Sequence, residues 1–351
     1  MNNGEMARLG LVGLGNWAHT IANAIMRSKK IKLVTCFTRT PEKRKAFSEK
    51  YGCAQQKSYE ALLKRADIDG VILVTPNAVH CEQAVLASQY GKHVFVDKPI
   101  ANTIAHGKEI ITACQKAGVV LMVGHHMRRS AGFRKLKELI DGGAIGKPIQ
   151  VEANVSHSGG FALTPEKFRW RGDDSGCPVA PLMTLGIHQV DILRYLLGPI
   201  KTVFSYFNKL YIPAPNEDVT ATVCRFESGV LGYLGSNYAS PKALWTYVYG
   251  TEANLLCSVV HADLPVAEYL LKASSIDQDT SVQIFEKGKT EPKNIPLRQG
   301  DPVLEQMDEF VDCIQTGKKP ETDGPGGLTA LAFVRAAIES VRTGEPQRIE
   351  A

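Results

Sequence analysis

Arg8-Leu9-Gly10-Leu11-Val12-Gly13-Leu14-Gly15-Asn16-Trp17-Ala18 is the stretch on which the reading of this 351-residue chain turns. Arg8 to Val12 is a short apolar strand, and the glycines that follow it break the pattern before a helix begins. Gly13 permits a tight turn, Gly15 leaves the backbone bare, and Ala18 is small enough for close packing of helix on strand. The plain alternative is a glycine turn with nothing bound to it.

Working outward, strands and helices alternate. Arg8–Val12, Ile31–Phe37, Val71–Val74, His93–Val96 and Val119–Val123 are apolar and rich in β-branched residues, as strands covered on both faces should be. Thr40-Pro41 supplies an N-cap and an N1 proline for a helix that stops before Gly52, and further helices end at Gly91 and Gly118. Such a βαβαβ series predicts an α/β domain with a doubly wound parallel sheet over residues 1–126. Beyond it the grammar changes to consecutive strands joined by turns such as Glu227-Ser228-Gly229. This predicts a second, α+β domain over residues 127–351 with a largely antiparallel open sheet. Helices near Pro302–Gln315 and Gly326–Arg342 are expected to pack on that second body.

Composition narrows the function classes. Lys plus Arg number 41 against 36 for Asp plus Glu, and the basic clusters Lys43-Arg44-Lys45 and Lys318-Lys319 are short. They read as solvated faces, so neither nucleic acid nor membrane is expected as a partner. The eight cysteines are scattered without a Cys-x-x-Cys pair, which suggests reduced thiols, no metal site and a cytoplasmic setting. The apolar run Leu9 to Leu14 is too short for a signal peptide or a span.

A strand–glycine turn–helix is the context of a dinucleotide fingerprint, so Gly13, Gly15, Asn16 and Trp17 are the expected pyrophosphate-side residues. About twenty residues on, a carboxylate would accept bonds from a ribose 2′-hydroxyl. Phe37-Thr38-Arg39-Thr40 has none, and Arg44 follows one turn later. Thr38, Arg39 and Arg44 therefore favour the 2′-phosphate of NADP over NAD. Alternatively, Arg39 is a surface side chain lying over the adenine. Thr75-Pro76-Asn77 and His80 stand where polar groups could bond the nicotinamide ribose, or where a proline turn has an ordinary Asn cap. Asp97-Lys98-Pro99 ends the strand His93–Val96, at the sheet edge where such folds bind ligands.

The helix read as Thr184–Leu197 is mostly apolar, yet Thr184, His188, Asp191 and Tyr195 make one polar stripe along it. Buried polar groups need partners, and a cofactor cleft would supply them. His188 suits a general base; the other reading is a structural polar ladder.

With these motifs on the page, the chain resembles the glucose–fructose oxidoreductase/inositol dehydrogenase (Gfo/Idh/MocA) family over nearly its whole length. The likeness rests on Gly13-Leu14-Gly15-Asn16-Trp17-Ala18, Thr75-Pro76-Asn77-x-x-His80, Asp97-Lys98-Pro99, Trp170-Arg171 and Gly186-Ile187-His188-Gln189-Val190-Asp191. It implies a Rossmann domain, a C-terminal sheet through which homodimers or homotetramers form, and NAD(P)-dependent oxidation of a secondary alcohol. Asp97, Lys98 and Pro99 match its Glu-Lys-Pro, which implies that Lys98 is catalytic and Lys98–Pro99 cis. His188 matches its catalytic histidine, and His126 a place near the nicotinamide. The substrate-binding set so implied is Lys98, His126, Trp170, Arg171, Thr184 and His188. His125, Arg128 and Arg129 could also hold a substrate anion; the duller reading has Arg128 structuring the domain junction and Arg129 solvated.

One departure stands out. Four residues before the histidine the family commonly places an Asp, and here the residue is Thr184; the usual glycine run reads Pro178-Val179-Ala180-Pro181. The expected activity is hydride transfer between nicotinamide C4 and a secondary alcohol or ketone of a sugar, cyclitol or related polyhydroxylated compound, carboxylated ones included. The alternatives are a dinucleotide-binding regulator with a weakened site, and a redox-cycling lyase or glycosidase-like enzyme.

Overall fold

The computed structural model describes residues 5–164, 170, 176–259 and 280–351. Their contacts divide the chain into two units, the first containing residues 1–126 and 302–328.

In the first unit, six strands form one parallel sheet: β1 (Ala7–Val12), β2 (Ile31–Phe37), β3 (Ala54–Gln55), β4 (Gly70–Leu73), β5 (His93–Asp97) and β6 (Leu121–Gly124). Their order is β3-β2-β1-β4-β5-β6, so the chain reverses direction across the sheet between β1 and β4. The helices are α1 (Asn16–Ile25), α2 (Pro41–Tyr51), α3 (Tyr59–Leu63), α4 (His80–Gln89) and α5 (Ile104–Ala117). The expected stops hold at α2 and α5, where Gly52 and Gly118 take left-handed C-cap conformations with φ of 63° and 66°.

The second unit has α6 (Ala131–Asp141), β7 (Pro148–Ser156) and α7 (Ile187–Leu197). Then follow β8 (Ile200–Asn208), β9 (Val219–Phe226), β10 (Leu231–Asn237), β11 (Ala243–Gly250) and β12 (Ala253–Val259). β13 (Thr280–Glu286), β14 (Lys293–Asn294) and β15 (Gln347–Arg348) complete a nine-stranded sheet. The sheet is antiparallel except where β7 and β10 pair in parallel, Ser156 beside Asn237. Both strands therefore end at the same edge. The expected Thr184–Leu197 helix is two elements: a π-helical turn over Leu182–Gly186, then α7.

The first of the two C-terminal helices does not pack as its sequence suggested, while residues 329–351, with most of the second helix, belong to the second unit. Val303, Met307, Phe310 and Val311 of α8 (Pro302–Thr316) join the core formed by β1, α1 and β2, and the Phe310 ring meets Phe95 of β5 edge-on at 5.9 Å. Lys30 pairs with Asp312 at 2.7 Å and Gln315 donates to the Glu5 carbonyl at 2.8 Å. The helix α9 (Gly324–Thr343) begins against β6, where a Cβ on Gly327 would come within 2.7 Å of Val123. An apolar stripe shows that a helix is buried on one side but not what buries it. Among the described residues, no helix is long and apolar enough to cross a membrane. All eight cysteines are buried and none is disulfide-bonded.

Candidate active site

Within the first unit, the loops at the carboxyl ends of β1, β2, β4 and β5 carry the expected cofactor residues. Gly13 has φ of 89°, and a Cβ there would stand 2.5 Å from the Val74 carbonyl oxygen. A Cβ on Gly15 would meet nothing within 4 Å, so the backbone there faces open space. Gly15 is the N-cap of α1 and no side chain caps it. Uncapped N–H groups at a helix N-terminus suit an anion, so this turn fits a dinucleotide pyrophosphate.

The Trp17 indole donates to Asp97 Oδ1 at 3.1 Å, and its ring packs on His126 with centroids 4.8 Å apart. A Cβ on Gly124 would lie 2.8 Å from the same Asp97 oxygen, so the carboxylate is clasped between β6 and the first turn of α1. Asp97 and Trp17 hold the end of β5, from which Lys98 continues through a cis peptide to Pro99. At the end of β2, Arg44 donates to the Thr38 carbonyl at 2.7 Å and lies over Phe37, so it orders the loop from which Arg39 projects, exposed.

His80 differs most from its expected role. It is wholly buried at 0% exposure, and its ring bridges the Thr75 carbonyl (2.9 Å) and the Pro99 carbonyl (3.0 Å). It braces two loops rather than reaching toward a ligand. Thr75 Oγ1 donates to Gln83 at 2.6 Å, and Asn77 is buried with its amide nitrogen unpartnered among the described residues. Burial holds the His19 and His93 imidazoles of this unit below their ordinary pKa, and His93 Nδ1 accepts from the Val120 N–H at 2.9 Å. A histidine kept neutral by folding stabilises above its unfolded pKa of about 6.5, and that contribution fades as pH falls below it. The thermal midpoint should therefore drop between about pH 7.5 and 5.5, as calorimetry would register. A midpoint that stays level or rises over this range would contradict the assignment.

In the second unit the polar stripe is largely answered from within the protein. Asp191 accepts two bonds from Arg128, through Nε at 2.7 Å and through Nη2. Both side chains are buried, and a buried ion pair of this kind holds only while both partners are present. Tyr195 accepts from Arg134 at 2.9 Å and lies beneath the Arg128 guanidinium at 5.2 Å. Gln189 accepts from Thr246 at 3.0 Å. The expectation that a cofactor cleft would satisfy Asp191 and Tyr195 is thus corrected. Arg129, expected to be solvated, is buried, as are His125 and His126.

Thr184 (5% exposed) and His188 (7%) stand one turn apart, on the π-turn and on α7. Val179, where the family glycine run would be, takes φ of 50°, a left-handed conformation that β-branched residues rarely adopt. Thr184 Oγ1 donates to the Ala180 carbonyl at 2.8 Å and meets the hydroxyl of Tyr238. Sequence reasoning missed Tyr238. It belongs to no motif, and only the β7–β10 pairing carries it to this edge. Trp170 is half-buried, and Arg171 lies outside the described residues.

A doubly wound parallel sheet with bare backbone at its first turn, and a lysine after β5, fits a dinucleotide-binding protein. Residues 7–125 match the family model for the oxidoreductase family with an NAD-binding Rossmann fold, and residues 133–256 match the GFO/IDH/MocA C-terminal domain. The chain belongs to the GFO/IDH/MocA oxidoreductase family. A crystal structure from Desulfitobacterium hafniense, described as a candidate NADPH-dependent oxidoreductase, is 34% identical over 99% of both chains with a TM-score of 0.92. The 1,5-anhydro-D-fructose reductase of Ensifer adhaerens is 27% identical over 98% of this chain and 99% of its own. The myo-inositol 2-dehydrogenase of Thermotoga maritima is 24% identical over 98% of each. The protein is an NAD(P)-dependent oxidoreductase.

Proposed function

We propose that the protein transfers hydride between NADP(H) and a secondary alcohol or ketone of a sugar, cyclitol or related polyhydroxylated compound. The observation that carries this reading is the open backbone over Gly15 at an uncapped helix N-terminus, with Lys98 at the same carboxyl edge of the sheet. Names of relatives that act on an anhydro-sugar and a cyclitol support the substrate class.

In this reading Gly13, Gly15, Asn16 and Trp17 hold the pyrophosphate, Thr75, Pro76 and Asn77 border the nicotinamide ribose, and the cofactor when bound supplies hydride transfer. Lys98 donates to the reacting oxygen and lowers the cost of negative charge on it. His188 accepts the hydroxyl proton during oxidation and returns it during reduction. Thr184 bonds a further substrate hydroxyl, while His126 and Trp170 border the substrate. Asp97, clasped by Trp17, and His80, braced by two carbonyls, keep Lys98 in register. Initial rates with NADP and a panel of aldoses, cyclitols and uronates, followed by the absorbance of reduced nicotinamide and by product analysis, test the reading. Product without an absorbance change would instead identify a redox-neutral cycle.

The preference for NADP rests on Arg39, an exposed guanidinium in a loop without a carboxylate. Arg39→Ala should weaken NADPH binding about 10–100-fold and leave NADH binding nearly unchanged, because a charged bond to phosphate contributes about 1.5–3 kcal/mol. Equal losses for both cofactors, in a fluorescence titration, would remove Arg39 from that role.

We also infer a homo-oligomer formed through the outer face of the nine-stranded sheet. Tyr206, Val223, Leu231 and Tyr233 are exposed on the neighbouring strands β8, β9 and β10. A continuous exposed apolar row of this kind marks a contact surface, and a second copy of the chain would cover it.

A further inference from the structure

The contact between Thr184 and Tyr238 specifies more than proximity, because hydroxyl protons must be shared out. The Ala180 carbonyl can only accept, and Thr184 has a single proton, which it gives to that oxygen at 2.8 Å. The bond between Thr184 Oγ1 and Tyr238 must then run the other way, with the phenol O–H donating. Toward any third group, Thr184 can only accept. A carboxylate at this position would also be an acceptor, but a charged one.

Tyr238 is held in place to do this. It is 3% exposed, and its ring stacks on His157 at 4.9 Å with an interplanar angle of 18°. Its N–H donates to the Asp218 carbonyl at 2.9 Å, and its own carbonyl accepts from Gly160 N–H at 3.0 Å. Gly160 packs so closely that a Cβ there would come within 2.7 Å of the Tyr238 Cβ. On the other side, the Thr184 hydroxyl comes from a π-helical turn, a rare wide turn frequently found at functional sites. The phenol is thus a fixed donor aimed at a side chain whose backbone is set by an unusual turn.

We propose that Tyr238 is a positioning residue of the substrate site: its O–H donates to Thr184, keeps the Thr184 proton on the Ala180 carbonyl, and makes Thr184 an uncharged acceptor for a substrate hydroxyl next to the one that reacts. This rests on the reading of Thr184 and His188 as substrate-side residues. The contact suits a vicinal diol, and being neutral it does not repel a substrate that carries a carboxylate.

The test has two arms. In the first, thermal unfolding of the ligand-free wild type, Tyr238→Phe, Thr184→Val and the double variant is compared. The Tyr238→Phe loss should be much smaller in the Thr184→Val background than in the wild type. Equal losses in both backgrounds would overturn the proposal. The second arm uses myo-inositol, D-xylose, D-glucose and D-glucuronate with NADP. For each compound the wild type oxidises, Tyr238→Phe and Thr184→Val should both lower kcat/KM about 10-fold or more. NADPH affinity should be unchanged, and Thr184→Ser should restore most of the rate. Undiminished turnover in Tyr238→Phe, a Thr184→Ser variant as poor as Thr184→Val, or a parallel loss of NADPH binding would each overturn it. A wild type that oxidises none of the four counts against the proposed substrate class, and the unfolding arm then decides the hydrogen bond by itself.

Discussion

Replacing His188 with alanine is expected to lower turnover about 10²–10⁴-fold, the usual contribution of a positioned general base, while NADPH binds as tightly as before. The separation of the two effects follows from how α7 is held. Arg128 grips Asp191, Arg134 bonds Tyr195 and Thr246 bonds Gln189, so three other side chains of the helix anchor it. The cofactor-side residues belong to a different set of elements altogether, the loops after β1, β2, β4 and β5. Steady-state rates beside a fluorescence titration with NADPH would measure both quantities on the same samples, and His188→Asn would retain the side chain's polarity without its basicity. Turnover within a few-fold of wild type would exclude His188 as the base.

A second large effect is expected far from any chemistry. Phe310→Ala should destabilise the protein by about 3–5 kcal/mol, the range for deleting a fully buried aromatic side chain. Phe310 is 0% exposed and its ring meets Phe95, two residues before the Asp97 that Trp17 clasps. The cavity would open beneath β5, so NADPH affinity should fall together with stability. Denaturant unfolding with and without NADPH would show it. A loss below about 1 kcal/mol would mean that α8 only rests on the first unit instead of belonging to its core.

Much of the first unit was legible because its signals are local. The glycines at 13 and 15, the proline after Thr40 and the glycines at 52 and 118 mark turns and helix ends through their own backbone preferences. Long apolar strands such as β1 and β2 announce themselves through β-branched runs. The two-residue strands β3, β14 and β15 were missed because so short a segment has no periodicity to read. The position of α8 was misjudged because its apolar stripe is equally suited to either body.

The candidate site divides along the same line. The family resemblance singled out Lys98, His188 and Thr184 as residues. It did not reveal that His80 would be spent bridging two carbonyls, or that Asp191 would find Arg128, 63 residues away. A residue's identity limits which bonds it can make; which partner takes them depends on where the chain is brought back.

What this sequence determined by itself was a dinucleotide-binding sheet, an antiparallel companion and a short roster of groups able to bind and move a proton. Those features follow from torsional preference, burial pattern and side-chain chemistry, each of which acts within a few residues. Only the tertiary structure decided that α8 completes the first core, that α7 is anchored by ion pairing, and that the Tyr238 hydroxyl meets Thr184. Each of these depends on contacts between segments far apart in the chain, such as the parallel pairing of β7 with β10, and no local preference encodes such a pairing.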